Sequence, residues 1–592
     1  MPVILSGMID VKFIVPALLL FSSVVAQEMR KAEEPDEVGL VEVSDDFENN
    51  SSESLPLQTT NFRPENAFTV APGLKGNSPY CFTITARSES PVTGRATCET
   101  NAVYYGKHTP LQMPATAGKW KRVSFFFRTA PGTREASFRF GRSADGKSIE
   151  AKDPHLRDAS EEEFTAAWKN WRAHYPERDL SPRPGDGQNL KRFINLLQNP
   201  GPGRNEVLVY GIGSSYTNML GNGERLNQWV RAHFPNAPKV VYKKHVGSAV
   251  AYDFTRGWMR QLVLGEDPDL VILYSEGTGE DLDKLLKDFR SHSAADVIVA
   301  SLHLRERAGE NTPATVHQQQ WKEVRKVAEK YNCEWVDNRV EHAAYLTKHK
   351  QPLTWLLKDA VHQSDHGALV INENIVRHIV PQEVSSTELV HSVKDVEGAC
   401  RIDFYGEKSQ QGKSIPVMIN ARPAAEFPAF VTTRIIPGPE NHKPARGSTA
   451  DRSPHMVRLG DVDKIVSQEW TITMTSDDGN FALSGSVTGK DGLGNNGTDF
   501  TSNSGQITVP TELWRRRINP DGTHANKTGD TFTWRVKRST VGEIDFSGKD
   551  GKPFRVTLIN QIPPRKITIE IEPPKQGEGK ITGYEIIKPA LP

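Results

Sequence analysis

The fold is decided by Val207-Leu208-Val209-Tyr210-Gly211-Ile212-Gly213-Ser214-Ser215-Tyr216-Thr217, an apolar, β-branched run that ends at glycine and serine. Such a run is typical of a buried parallel strand that delivers a hydroxyl group to the carboxyl edge of its sheet. Far downstream, Asp359-Ala360-Val361-His362 has an Asp-x-x-His spacing that can supply an imidazole and its carboxylate partner from one loop. Together the two segments predict a Ser-His-Asp triad.

The region 204–381 around these segments alternates between short apolar runs and amphipathic stretches. Such alternation predicts a parallel sheet with crossover helices on both faces, an α/β/α sandwich. Apolar residues recur at helical spacing between the runs, and a last helix is predicted after His362. The predicted strands are 206–210, 239–242, 270–274, 297–300 and 334–336.

Both flanks of this region are β-rich, so the chain is predicted to be multidomain. Residues 38–153 predict an all-β sandwich, 154–203 a helical connector, and 382–592 one or two further β-sandwiches. The aromatic residues of 38–153 either fill the core of that sandwich or form a sugar-stacking platform. We expect the flanking sandwiches to act as accessory domains.

Composition and the N-terminal segment indicate which partners and which cellular location to expect. The 592 residues include 73 Lys and Arg against 73 Asp and Glu, so no net charge favours nucleic acid or an anionic membrane surface. Lys12 precedes an apolar stretch, and the small residues before 27 predict a signal peptide, 1–26, cleaved after Ala26. The alternative is an uncleaved anchor. With cleavage, we expect a secreted or periplasmic protein without a membrane span.

Cysteines and possible metal ligands are few. Cys81 and Cys98 either form a disulfide between neighbouring strands or remain thiols, and Cys333 and Cys400 are predicted to be buried thiols. No Cys-x-x-Cys pair or His/Asp cluster has convincing metal-ligand spacing, so we expect neither a metal nor a cofactor. The oxygen-rich segment 491–499 lacks EF-hand spacing, and a surface loop is the preferred interpretation over a calcium site.

The order of these motifs resembles the SGNH (GDSL-type) hydrolases over 204–381. Gly213-Ser214-Ser215 matches the family's Gly-Asp-Ser block, and Asp359-Ala360-Val361-His362 matches its last block. The resemblance implies that Ser215 is the nucleophile, His362 the general base and Asp359 the carboxylate that orients it. By the same alignment, Asp365 and His366 belong to the start of the final helix and not to the triad.

The resemblance also implies an oxyanion hole. Its donors are the backbone N–H of Ser215 and that of Gly247, which matches the glycine of the family's second block. The third block departs from the family pattern, because Gly279 stands where an asparagine is expected. Losing one such donor costs about 10²–10³ in turnover. We therefore expect Thr278 or a backbone N–H near Gly279 to replace it.

The resemblance implies a serine ester hydrolase that acts through an acyl-enzyme. The signal peptide and the flanking β-domains extend this to an exported, carbohydrate-active esterase that removes O-acetyl groups from a polysaccharide, because attached β-domains raise the effective substrate concentration. The expected partner is a polysaccharide or another acylated substrate. The third-block departure keeps open a catalytically impaired, glycan-binding scaffold protein. A lipolytic or peptidoglycan-directed esterase with the same triad is the other alternative.

Overall fold

A computed structural model describes most of the chain. The described residues are 41–44, 57–58, 68–70, 73–100, 108–129, 133–140, 149–246, 263–307, 309–313, 317–383, 388–433, 435–437, 452–454, 456–460, 464–561, 565–589 and 591. The predicted signal peptide, 1–26, lies outside them. None of the helices in these segments is long and apolar enough to cross a membrane.

The N-terminal domain is a sandwich of two antiparallel sheets. Its strands are β1 (Val41–Ser44), β2 (Leu57–Gln58), β3 (Phe68–Val70), β4 (Pro79–Arg87), β5 (Val92–Thr100), β6 (His108–Met113), β7 (Lys121–Arg128), β8 (Thr133–Phe140) and β9 (Glu150–Asp158). The sheet orders are β1-β7-β4-β9 and β2-β3-β8-β5-β6. Strand β9 pairs with β4 as far as Asp158, so the sandwich continues past the predicted boundary at residue 153.

Aromatic rings fill the space between these sheets. Phe82, Phe125, Phe127 and Phe138 are buried, and the rings of Phe82 and Phe138 stack with centroids 3.9 Å apart. Alternating residues of each strand point to the inner face, which places the rings from both sheets against one another. These residues form the sandwich core and are therefore not a platform for sugars.

The two N-terminal cysteines lie in different sheets. Cys81 is in β4, whereas Cys98 is in β5. Cys81 is a buried thiol outside any disulfide, and it packs against Phe126 and Phe164 on the side of its sheet that faces the connector helix. The disulfide alternative is therefore wrong, because spacing in the sequence does not determine which sheet or face each cysteine occupies.

The connector contains two helices, α1 (Glu161–Arg172) and α2 (Lys191–Gln198). Ser160 and Glu163 form a capping box that fixes the start of α1 directly after β9. At the other end of α1, Arg172 forms an ion pair with the fully buried Glu373 at 2.9 Å. Because Glu373 belongs to the last helix of the next domain, the connector is anchored to that domain.

The central domain is built on one parallel sheet. Its strands are β10 (Glu206–Gly213), β11 (Lys239–Val246), β12 (Leu270–Tyr274), β13 (Asp296–Ala300) and β14 (Glu334–Val336), in the order β11-β10-β12-β13-β14. Its helices are α3 (Ser215–Asn218), α4 (Glu224–His233), α5 (Gly279–Arg290), α6 (His317–Lys330), α7 (Asn338–His349) and α8 (Asp365–Arg377). The strand order reverses beside β10, so ligands are expected at its carboxyl end.

Three strands of this sheet are longer than predicted, β13 only by Asp296 at its start. Strand β10 runs to Gly213 and β11 to Val246, and they pair in parallel over their whole length. The extension of β11 includes Lys243 and Lys244, which the apolar pattern excluded. Lys243 forms an ion pair with Glu266, and the buried Lys244 donates to the Gly221 carbonyl, so the edge strand continues through both polar residues.

The C-terminal region forms two β domains, one inserted into the other. The first uses β15 (Val393–Ala399), β16 (Arg401–Glu407), β17 (Ser414–Ile419), β18 (Arg422–Pro423), β28 (Glu543–Asp545), β29 (Pro553–Ile559), β30 (Arg565–Ile571) and β31 (Lys580–Ile587). The second uses β19 (Phe430–Thr432), β20 (Ile436–Pro437), β21 (Arg458–Leu459), β22 (Gln468–Met474), β23 (Asn480–Gly485), β24 (Gly489–Asn495), β25 (Phe500–Thr501), β26 (Ile507–Val509) and β27 (Thr531–Arg538). Each has its own hydrophobic core.

Part of the segment considered for calcium lies in β24. The carboxylate of Asp491 accepts hydrogen bonds from the backbone N–H of Ser504 at 2.8 Å and from its hydroxyl at 2.6 Å. Asp491 is buried and serves to hold this turn. Within the described residues there is no group of three or more potential metal ligands.

The first C-terminal domain contacts the amino edge of the central sheet. Arg401 donates to the carboxylate of Asp267 at 2.7 Å, just before β12 begins. The ring of Tyr405 lies beside Gly201, which precedes β10. This domain is therefore attached at the end of the sheet opposite to the end where Ser215 follows β10.

Candidate active site

The turn after β10 places Ser215 at the first position of α3. Gly213 lies where that turn is tightest, because a Cβ atom there would be 1.7 Å from Thr217 Oγ1 and 2.2 Å from the carbonyl oxygen of Tyr274. Only a residue without a side chain fits this close approach. The hydroxyl of Thr217 donates to the Tyr274 carbonyl at 2.7 Å and ties α3 to β12.

The structure brings Ser215, His362 and Asp359 together. Ser215 Oγ lies 3.0 Å from His362 Nε2, and His362 Nδ1 lies 2.8 and 3.1 Å from the two carboxylate oxygens of Asp359. An ionised carboxylate only accepts hydrogen bonds, so the proton of the neutral imidazole is on Nδ1. Nε2 is then the acceptor that faces the serine hydroxyl, as a general base requires.

The backbone of the loop 359–362 keeps Asp359 charged. Burial raises the pKa of the Asp359 carboxyl, but the backbone N–H groups of Val361 and His362 and the His362 side chain outweigh it and lower the pKa below its ordinary value. Those N–H groups donate to Oδ1 at 2.9 and 2.7 Å. The carboxylate therefore remains ionised at neutral pH.

Three hydrogen bonds fix this loop, one within the loop and two to its surroundings. The N–H of Lys358 donates to the carbonyl of His362 at 2.9 Å, and the N–H of Glu306 donates to that of Ala360 at 2.9 Å. Gln363 Nε2 donates to the carbonyl of Tyr216 at 2.6 Å. The last bond joins the loop directly to the turn that carries Ser215.

The three residues are open to solvent. Ser215 is exposed, and the side chains of His362 and Asp359 keep 26% and 42% of their accessible surface. Asp365 and His366 follow in the first turn of α8, where Ser364 is the N-cap. His366 is buried and accepts or donates a hydrogen bond with the Tyr345 hydroxyl, as expected for a residue outside the triad.

The four residues predicted for the oxyanion hole differ in where they lie and in what their donor groups contact. Ser215 begins α3, so no carbonyl within that helix pairs with its N–H. Gly247 lies outside the described residues. Thr278 caps α5: its hydroxyl donates to Asp281 Oδ2 at 2.8 Å and accepts from the Asp281 N–H at 3.2 Å. Gly279 begins α5 and packs against Glu323.

The Thr278 hydroxyl is therefore engaged in a capping box. Within the described residues, no hydrogen bond links Thr278 or Gly279 to the triad. Gly279, where the resemblance placed an asparagine, is the first residue of a helix. The sequence did not reveal that Thr278 caps this helix.

A buried arginine beside the triad was missed by the sequence analysis. Arg305 donates to the hydroxyl of Tyr216 at 2.7 Å and to Glu276 at 2.9 Å, and it pairs with Glu310. Burial lowers the pKa of Arg305, but these partners reverse the effect and raise it above the ordinary value. Its position shortly after β13 was the available signal, because residues after parallel strands meet at one sheet edge.

Comparisons with known proteins give only distant similarity. No protein-family model matches the chain, and no curated protein matches it. A catalytic mutant of Axe2, an acetylxylan esterase from Geobacillus stearothermophilus, matches with 20% identity over 31% of this chain and 98% of its own, at a TM-score of 0.26.

Two other solved structures match at a similar level. A two-domain esterase, CEX, active on acetylated mannans, matches with 10% identity over 63% of this chain and 96% of its own, at a TM-score of 0.27. LAE5, an alpha/beta hydrolase from the metagenome of Lake Arreo, Spain, matches with 19% identity over 30% of this chain and 96% of its own, at 0.26. These values establish no function for this chain.

Proposed function

We propose that this protein is a serine ester hydrolase of the SGNH type. The observation that carries the proposal is the 3.0 Å contact of Ser215 Oγ with His362 Nε2, on an imidazole whose Nδ1 is held by Asp359. Ser215 attacks the ester carbonyl while His362 takes its proton, and His362 then protonates the leaving alcohol. Water, activated by the same imidazole, releases the acid from the acyl-enzyme.

The substrate class proposed is an O-acetylated polysaccharide, outside the cell. An exposed Ser215 suits an ester that projects from a large polymer, because such a substrate cannot enter a closed pocket. Accessory β domains that hold the polymer raise its effective concentration near the nucleophile. The first C-terminal domain contacts the opposite edge of the sheet through Arg401, so its contribution is to retain the polymer and not to shape the acyl site.

The test is ester turnover by the purified chain. We expect release of p-nitrophenol from p-nitrophenyl acetate and of acetate from an acetylated polysaccharide, and neither from Ser215→Ala. A fluorophosphonate probe followed by mass spectrometry should place its label on Ser215. Equal rates for the wild type and Ser215→Ala would refute the proposal. In a series of acyl esters, a preference for long acyl chains would indicate a lipolytic enzyme instead of an acetylesterase.

One observation favours a second candidate, a glycan-binding scaffold protein without turnover. The Thr278 hydroxyl is engaged with Asp281, so the side-chain donor of the third block has no evident substitute among the described residues. Binding to a glycan array together with complete stability of every acetyl ester would support this candidate. Labelling of Ser215 accompanied by acetate release would exclude it.

A further inference from the structure

A buried histidine lies directly behind the catalytic loop. His303 is 0% exposed and follows β13. Its Nε2 lies 2.9 Å from the carbonyl oxygen of Val361, and its Nδ1 lies 2.5 Å from the hydroxyl of Tyr274. Val361 is the residue between the Asp359 turn and His362, so His303 contacts the backbone that carries the general base.

The direction of both hydrogen bonds follows from their chemistry. Burial lowers the pKa of His303 to about 3, so the imidazole is neutral and has one N–H. A carbonyl oxygen only accepts, and Nε2 must therefore donate to Val361. Nδ1 is left as the acceptor for the hydroxyl of Tyr274. The His303 imidazole therefore accepts a hydrogen bond from the Tyr274 hydroxyl and donates one to the Val361 carbonyl.

This contact completes the hydrogen bonding of the peptide units that carry the base. The N–H groups of Val361 and His362 both donate to Asp359, and the carbonyl of His362 accepts from Lys358. These three bonds are all internal to the loop. The carbonyl of Val361 is bound by His303, which connects the loop to the sheet.

The other end of the connection reaches the nucleophile. Tyr274 is the last residue of β12 and pairs with Gly213 of β10. Its carbonyl accepts the Thr217 hydroxyl, and its own hydroxyl binds His303. The ring of Tyr216 packs edge-on against His303 and lies 5.3 Å from the ring of His362. A continuous set of contacts therefore joins the serine turn to the histidine loop.

We propose that His303 is a positioning residue that sets the distance between Ser215 Oγ and His362 Nε2 by holding the Val361 carbonyl. It contacts neither of those two atoms itself. Tyr274 fixes the orientation of the His303 ring. This inference rests on the proposed function, because it assigns the residue a role in the same triad.

The test compares three variants in p-nitrophenyl acetate turnover and in the rate of fluorophosphonate labelling. His303→Phe keeps the ring but removes both hydrogen bonds, and a displacement of about 1 Å lowers turnover by about 10²-fold. We expect this loss in kcat and in the labelling rate, with KM within twofold of the wild type. His303→Gln retains a donor and an acceptor, and we expect kcat within about fivefold. We expect Tyr274→Phe to lower kcat by an amount between those of His303→Gln and His303→Phe.

His366→Phe is the matched control. It also removes a buried histidine bonded to a tyrosine hydroxyl, at 3.0 Å from Tyr345, but the lost bond lies within the packing of α7 and α8. We expect it to lower the melting temperature while kcat changes by less than threefold. A merely structural role for His303 predicts the same result for His303→Phe, and an unchanged kcat in that variant would overturn the inference.

The outcomes separate the two proposals. If the wild type neither turns over esters nor is labelled, the proposed function itself fails. If the wild type is active and both Tyr274→Phe and His303→Gln match it while His303→Phe does not fold, His303 is a core residue and the inference is wrong. A graded loss, with rescue by glutamine, supports it.

Discussion

Replacing Asp359 by asparagine tests the triad by changing which nitrogen of His362 carries the proton. One carboxylate oxygen, Oδ1, accepts the N–H groups of Val361 and His362, so an NH₂ group cannot occupy that position. The amide of Asp359→Asn must therefore keep its oxygen there and turn its NH₂ toward His362 Nδ1, which the Asp359 Oδ2 now faces at 2.8 Å. An imidazole that accepts at Nδ1 has its proton on Nε2, pointing at Ser215.

In that tautomer Nε2 cannot take the serine proton. The same change of tautomer in a Ser-His-Asp triad lowers kcat by about 10⁴. At about 1.36 kcal/mol per tenfold, this is about 5.4 kcal/mol of transition-state stabilisation. We expect KM for p-nitrophenyl acetate to stay within about threefold, because the exchange is isosteric and neither backbone hydrogen bond is lost.

Steady-state hydrolysis of p-nitrophenyl acetate at pH 7.5 measures the effect, and Asp365→Asn is the matched control. Asp365 lies six residues further along, at the start of α8, and has no place in the triad. We expect the control to retain at least a third of wild-type kcat. If Asp359→Asn keeps kcat within tenfold of the wild type, His362 does not act as the base that this geometry implies.

Three further predictions follow from the same site. Gly213→Ala places a Cβ 2.2 Å from the Tyr274 carbonyl, so we expect a lower melting temperature and loss of Ser215 labelling. Thr278→Ala removes the N-cap of α5 and should lower the free energy of unfolding by about 1 kcal/mol in a denaturant titration. If kcat falls by less than tenfold, Thr278 only caps the helix, whereas a fall of about 10²–10³-fold indicates an oxyanion donor. The depressed pKa of Asp359 stabilises the fold above the unfolded carboxyl pKa of about 3.9, and this contribution disappears as the pH falls through the lower folded value. Melting curves from pH 6 to 3 should therefore show a smaller acid loss for Asp359→Asn than for the wild type.

The central sheet was predictable because its strands are buried on both faces. Strands 270–274 and 334–336 are observed with the predicted bounds. The edge strand β11 was predicted too short, because Lys243 and Lys244 interrupt the apolar pattern and the sequence does not show their partners, Glu266 and the Gly221 carbonyl. The sequence placed Ser215, Asp359 and His362 in loops of this sheet, and the structure brings their side chains into hydrogen-bonding contact.

Other features could not be predicted from the local sequence alone. Strands of both C-terminal domains alternate in the same way, so the pattern cannot show that residues 430–538 are inserted into the other domain. His303 and Arg305 are single polar residues after a strand, and only the surrounding contacts show that both are buried beside the triad. Cys81 and Cys98 were close in sequence but lie in separate sheets.

The attachment of the first C-terminal domain through Arg401 and Asp267 has a consequence for the proposed action on a polymer. At about 3.3 Å per residue, the five residues of β12 already separate the two sheet edges by about 17 Å. Under the proposed function, a glycan bound by that domain would have to pass around the flank of the α/β domain before any of its esters reached Ser215. Ester hydrolysis would then occur several sugars away from the bound segment, so that deacetylated stretches could stay bound while neighbouring acetylated stretches are hydrolysed.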